Sequence, residues 1–135
     1  MIAAITNTGK LVFMVVDGKF NAEVFLQFLR KLIKSTAHKV FLIADGHPVH
    51  EQSRVVLWIA GHQEKIELFF LPAYSPELNP DEYFNQDLKT NVAGKFRPAS
   101  KEQLIAKVKA FSNSKKRNPQ KVIKYFHANS VRYAM

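Results

Sequence analysis

Residues 40–50 read VFLIADGHPVH, and residues 69–89 read FFLPAYSPELNPDEYFNQDLK. The first stretch is a continuous apolar run that ends at Asp45. A strand apolar on both faces suits the buried centre of a parallel sheet. A carboxylate just past the C-terminal end of such a strand lies where open α/β sheets bind ligands. The second stretch leaves an apolar strand, passes through a loop shaped by Pro72 and Pro76, and enters a helix opened by Pro80. Glu82 falls in the first turn of that helix, with 36 residues between it and Asp45. Two carboxylates delivered in this way are hard oxygen ligands of the kind a divalent-metal phosphoryl-transfer site uses.

Each acid also has an ordinary structural explanation. Asp before Gly46 is a common turn pair. Asn79 as N-cap, Pro80 at the first helical position and Glu82 at the third make a capping-box arrangement, with Leu78 and Tyr83 as its apolar staple. Asp81 and Asp87 read as helix-surface acids and Glu77 as a loop acid. His47 and His50 bracket Pro48 and Val49, but a zinc site wants further protein ligands. His50 reads better as a residue that contacts substrate or orients Asp45.

Working outward, Ile2–Thr6 and Leu11–Val16 are β-prone runs joined by Asn7-Thr8-Gly9-Lys10, a hairpin signal. Asp17-Gly18 closes the second strand. Asn21 is a good N-cap, with Phe20 and Phe25 placed as a hydrophobic staple. Phe25, Phe28, Leu29, Leu32 and Ile33 share one helical face and read as core. Gln52–Ala60 reads as a helix stopped by Gly61, and Ile66–Phe70 as a further strand. Alternating strands and helices imply an α/β sheet with right-handed crossovers. Ser100 with Gln103 caps another helix, whose apolar face is Leu104, Ile105, Val108 and Phe111. Lys115-Lys116-Arg117 reads as a charge cluster in a loop, and Pro119 opens a last short helix carrying Val122, Ile123 and Phe126.

The 135 residues fit one domain, and 47% hydrophobic residues with 12% aromatics provide for a real core. There is no cysteine, so disulfides and thiolate metal sites are excluded. No apolar run approaches a membrane span and no signal peptide is evident. The net charge of +9 is unevenly placed: residues 1–88 carry eight Lys/Arg against ten Asp/Glu, and residues 89–135 carry twelve against Glu102 alone. A basic C-terminal third, from about residue 95, points to a polyanion, most simply nucleic acid.

The block at Asp45-Gly46-His47-Pro48-Val49-His50 resembles the strand-plus-Asp-x-x-Pro-x-His motif of DDE transposases of the mariner-like superfamily, in the bacterial insertion-sequence branch. The block at 71–82 is similar to that family's Leu-Pro-x-Tyr-Ser-Pro-x-Leu-Asn-Pro-x-Glu motif, and the likeness extends over about residues 1–110. The spacing of the two acids is compatible with the family's. The resemblance implies a ribonuclease-H-like (DDE integrase/transposase) fold. It also implies Mg²⁺-dependent (or Mn²⁺-dependent) cutting and joining of double-stranded DNA at transposon ends, in the bacterial cytoplasm at the nucleoid. Asp45 matches the second catalytic and metal-binding acid and Glu82 the third. His50, Tyr74, Ser75, Asn79 and Lys89 are the substrate-binding candidates. Gly46 departs from the Asn more usual at that place.

The family's first acid lies on the central strand, upstream of the hairpin, and no Asp or Glu precedes Asp17 here. Asp17 would end a strand three spacings from that of Asp45, roughly 14 Å away, too far to share an ion readily. The resemblance therefore implies a partial catalytic domain lacking its first, central strand. Alone it should be inactive, and an upstream-encoded N-terminal transposase half should complete it. Open strand edges would favour association with another chain, including a second copy as a homodimer. The competing expectation is a non-catalytic DNA-binding or interaction remnant.

Overall fold

The computed structural model describes residues 1–95 and 97–135. The chain folds as two compact units. One comprises Ala3–Val15 and Glu77–Met135 with Met1, and the other comprises Val16–Pro76 with Ile2. Both mix strands and helices. Among the described residues no helix is long and apolar enough to cross a membrane.

The central unit runs α1 (Ala22–Lys34), β3 (Val40–Ala44), α2 (Ser53–Ala60) and β4 (Ile66–Phe70), with a single 3₁₀ turn over Pro48–Glu51. α1 starts where the sequence predicts. The Asn21 side chain accepts the Val24 N–H at 2.9 Å, and the Phe20 and Phe25 rings meet edge-on at 6.0 Å. Its stripe of Phe25, Leu26, Phe28, Leu29 and Leu32 is buried, while Ile33 is half-buried. Glu23 ties α1 to α2 by accepting from Arg54 at 2.6 Å, and Arg30 lies 3.5 Å away. The Arg54 hydrogen bond holds the Glu23 carboxyl below its ordinary value.

β3 and β4 pair in parallel, with Val40 opposite Ile66 and Ala44 opposite Phe70. The ladder is extended at both ends, by Val40 N–H to the Lys65 carbonyl (2.9 Å) and Leu71 N–H to the Ala44 carbonyl (2.8 Å). The expectation that β3 is buried on both faces is corrected here. β3 alternates half-buried and exposed residues, and Phe41, Ile43 and Phe69 share an exposed face on which the rings of Phe41 and Phe69 stack at 6.5 Å. Among the described residues the four strands form two two-stranded sheets, β1–β2 and β3–β4, rather than one, and β4 is the one ladder partner of β3.

The hairpin unit holds β1 (Ile2–Ile5), β2 (Leu11–Met14), α3 (Asp81–Leu88), α4 (Lys101–Lys116) and α5 (Pro119–Ile123). Its turn needs Gly9, whose φ of +94° suits glycine and where a Cβ would stand 2.6 Å from Pro119. Leu11, Phe84 and Val122 are its buried centre, with Ile5, Phe13, Phe111 and Tyr125 packed around them. α3 continues through a π-helical turn over Lys89–Ala93. Ser100 caps α4 as the sequence predicts, accepting the Gln103 N–H at 3.1 Å. The expected apolar face of α4 is only partly used, since Leu104 stays exposed and Ile105 and Val108 half-buried. Lys115 and Lys116 are not in a loop but in the last turn of α4, where cations oppose the negative end of the helix dipole.

Asp87 is the polar hub of this unit. Its carboxylate accepts from Tyr125 (2.5 Å), Asn91 (2.6 Å) and Lys115 (2.9 Å). Burial acts to raise its pKa, but the hydrogen bonds from Tyr125 and Lys115 outweigh it and hold the carboxyl below its ordinary value. Burial and the Asp87 carboxylate together push the Tyr125 hydroxyl up.

Two outcomes are expected. Leu29, with no exposed surface, should cost about 2–5 kcal/mol when cut to Ala, read as a lower urea midpoint of the Trp58 fluorescence transition. Because Asp87 is depressed in the folded state, its contribution is present at neutral pH and lost as pH falls through its folded value. Asp87→Asn should therefore lower the stability of the hairpin unit at pH 7 and flatten its acid dependence between about pH 5 and 2, followed by hydrogen exchange of the α3 amides.

Candidate active site

Asp45 leaves the C-terminal end of β3 with an exposed side chain. The backbone there turns at once into the Pro48–Glu51 3₁₀ helix. His47 caps that helix, its Nδ1 accepting the Val49 N–H at 3.1 Å. This contact commits the Nδ1 of His47 to the turn. The turn carries His50 back beneath Asp45. His50 is 9% exposed, and its ring lies 4.4 Å from that of Phe25. Its Nδ1 lies 2.9 Å from the Asp45 carbonyl oxygen and 3.4 Å from the carboxylate Oδ1. Both groups facing Nδ1 are acceptors, so Nδ1 carries the proton and donates. Burial pushes the His50 pKa below its ordinary value, against the raising influence of Asp45.

The loop after β4 holds Tyr74 and Ser75. Tyr74 is fully exposed and adopts φ +56°, a left-handed conformation unusual for a residue with a side chain. Ser75 Oγ donates to the Ala73 carbonyl at 3.2 Å and closes the bend. The hydroxyl is thus engaged in shaping the loop.

Asn79 opens α3. Its Oδ1 accepts the Asp81 N–H at 3.0 Å and its carbonyl accepts the Glu82 N–H at 3.0 Å. The N-cap expected at Asn79 is therefore present, although the regular helix begins at Asp81. The return half of a capping box, a Glu82 side chain reaching the Asn79 N–H, is not made. Among the described residues the half-buried Glu82 carboxylate has no hydrogen-bond or ion-pair partner. The ordinary explanation for this Glu thus accounts for its position in the helix but not for its carboxylate. Lys89 is exposed where α3 passes into its π-turn.

Asp45, His50, Tyr74 and Ser75 belong to the central unit, and Asn79, Glu82 and Lys89 to the hairpin unit. Within each unit the structure brings together Asp45 with His50 and Asn79 with the Glu82 turn. Among the described residues no group of three or more His, Cys, Asp or Glu is placed to hold a metal ion. Sequence reasoning missed the Asp87 hub, reading Asp87 as a surface acid. Its partners Lys115 and Tyr125 lie 28 and 38 residues away, and no local pattern announces such pairing. Sequence reasoning also missed the left-handed Tyr74, for which only glycine or asparagine would have been a signal.

The expected state of His50 at pH 7 is the neutral imidazole protonated at Nδ1, readable from its ring ¹⁵N shifts. Asp45→Ala should leave that tautomer in place, because the backbone carbonyl remains. A ring protonated at Nε2 would contradict the geometry.

A family model described as DDE superfamily endonuclease matches residues 1–105. Comparison with curated proteins found no match, and comparison with solved structures found none.

Proposed function

The chain belongs to the DDE superfamily endonuclease family, and we propose that Asp45 and Glu82 are the second and third acids of a transposase active site of the mariner-like, insertion-sequence type. The observation that carries this reading is the state of the two carboxylates. Asp45 projects from a strand end into solvent with its backbone held from beneath by His50. Glu82 sits in a capped first turn whose capping does not use its side chain.

The donor set fits Mg²⁺ or Mn²⁺. Both side chains offer hard oxygens, and Mg²⁺ is commonly held by one or two carboxylates with waters and substrate phosphates completing its shell. Bound there, the metal would polarise the phosphoryl oxygens and stabilise charge as a strand is cut or joined. The chain's own residues would do the rest. Asn79 sets the turn from which Glu82 extends. Tyr74, Ser75 and Lys89 would contact the DNA near the cut. The exposed cations Lys116, Arg117, Lys121 and Lys124 would grip the phosphate backbone without reading sequence.

No Asp or Glu precedes Asp17 in these 135 residues. On this reading Asp45 and Glu82 are two of the site's three acids, and the chain binds DNA through its basic residues and cuts it through these carboxylates. The second reading, a DNA-binding remnant without catalysis, draws on the twelve Lys/Arg of residues 89–135.

Duplex binding by the purified chain should weaken steeply with salt. Lys116→Glu with Arg117→Glu should lower the slope of log affinity against log salt by about one for each phosphate no longer neutralised. Mg²⁺-dependent nicking of end-bearing duplexes is expected when a polypeptide carrying the family's first acid is supplied in trans. Asp45→Ala or Glu82→Ala should return that nicking to background. Binding with no nicking under these conditions favours the remnant.

A further inference from the structure

The family match stops at residue 105, yet the side chains that hold the Glu82 helix come mostly from residues after it. Tyr133 donates its hydroxyl hydrogen to the Leu78 carbonyl, one residue before the Asn79 cap. Ser130 Oγ lies 3.4 Å from the Tyr83 hydroxyl, so the chain's last turn touches both sides of the Asn79-Pro80-Asp81-Glu82 bend. At the other end of α3, Tyr125 and Lys115 hold the Asp87 carboxylate at 2.5 and 2.9 Å. Between these grips, Phe84 is fully buried against Phe111 (6.2 Å between ring centres) and Tyr125 (5.9 Å). The gripping segment is itself anchored, since Val122, Phe126 and Val131 are buried.

We propose that residues 106–135 are a brace that positions the Glu82 turn, with Tyr133 and Tyr125 as its positioning residues. The proposal rests on the reading of Glu82 as a metal-binding acid. No side chain among the described residues orients the Glu82 carboxylate, so its direction follows from the placement of its backbone. A ligand must be held within a fraction of an ångström to be productive. The free cap alone leaves the first turn of a short helix prone to fraying. Tying the residue before the cap, the residue after Glu82 and the far end of α3 to one anchored segment removes that freedom. Most basic residues of the same segment face solvent, among them Lys116, Arg117, Lys121, Lys124 and Arg132, while Lys115 is drawn in to Asp87. The segment thus combines a basic, solvent-exposed surface with a grip on the acid-bearing turn.

The test uses the whole chain and Mn²⁺ as probe. Tyr133→Phe removes one hydroxyl from an exposed residue and leaves the ring in place; Tyr125→Phe does the same at the other grip. Tyr133→Phe should speed hydrogen exchange of the Glu82 and Tyr83 amides roughly threefold to tenfold, the range of one net hydrogen bond, with the thermal midpoint lowered by no more than about a few degrees. In a Mn²⁺ titration, paramagnetic broadening of the Glu82 amide should need a several-fold higher metal concentration in either variant. Glu82→Gln serves as the zero. Unchanged exchange overturns the brace. Faster exchange with unchanged Mn²⁺ response overturns the positioning role and leaves a structural contact. If the unmodified chain shows no broadening at Glu82, the metal reading itself fails, and that failure is distinct because the exchange result stands without it.

Discussion

Burial of the Phe84 ring is the constraint on which the candidate site's helix depends. Phe84 shares its core with Leu11 from β2 and Val122 from α5, so its place is set from both ends of the chain. Residues two apart on an α-helix point roughly 200° away from each other. Committing Phe84 to the interior therefore turns Glu82 toward the opposite side of α3. The polar contacts at Leu78, Tyr83 and Asp87 then fix the helix along and about that axis. The proposed third acid is placed here by an apolar neighbour and not by a partner of its own.

Asp45 is placed by a different device. The β3–β4 ladder brings the end of β3 beside Leu71, and the 3₁₀ turn after Gly46 returns His50 beneath the strand end. Packing against Phe25 makes the His50 ring a fixed support, since a buried imidazole with its donor on a backbone carbonyl has little freedom to rotate. The carboxylate stays exposed above it. The two acids thus follow one pattern: the backbone is immobilised by buried groups, and the carboxylate is left available.

The basic third of the chain is less uniform than its composition suggests. Lys115 serves Asp87 and lies over the rings of Phe111 and Tyr125, so it is an internal strut. Its neighbours Lys116 and Arg117 are exposed. Adjacent residues on a helix point about 100° apart, which is why one run of three cations divides between fold and surface.

Local sequence determined much of the secondary structure. Asn21, Ser100 and Asn79 cap where their side chains can reach the first free N–H groups. Gly9 marks a turn that only glycine suits, and the apolar stripe of α1 announces its buried face. The two motif blocks carried the family and pointed to the two candidate acids. These features were legible because each is decided within a few residues. Tertiary structure alone decided that β3 is half-exposed, that Lys115 and Tyr125 converge on Asp87, and that Tyr133 reaches back to Leu78. Those outcomes depend on which distant surfaces meet, and neither charge nor periodicity along the chain encodes the meeting. The sequence named Asp45 and Glu82; the packing of Phe25 and Phe84 decided how each backbone is held.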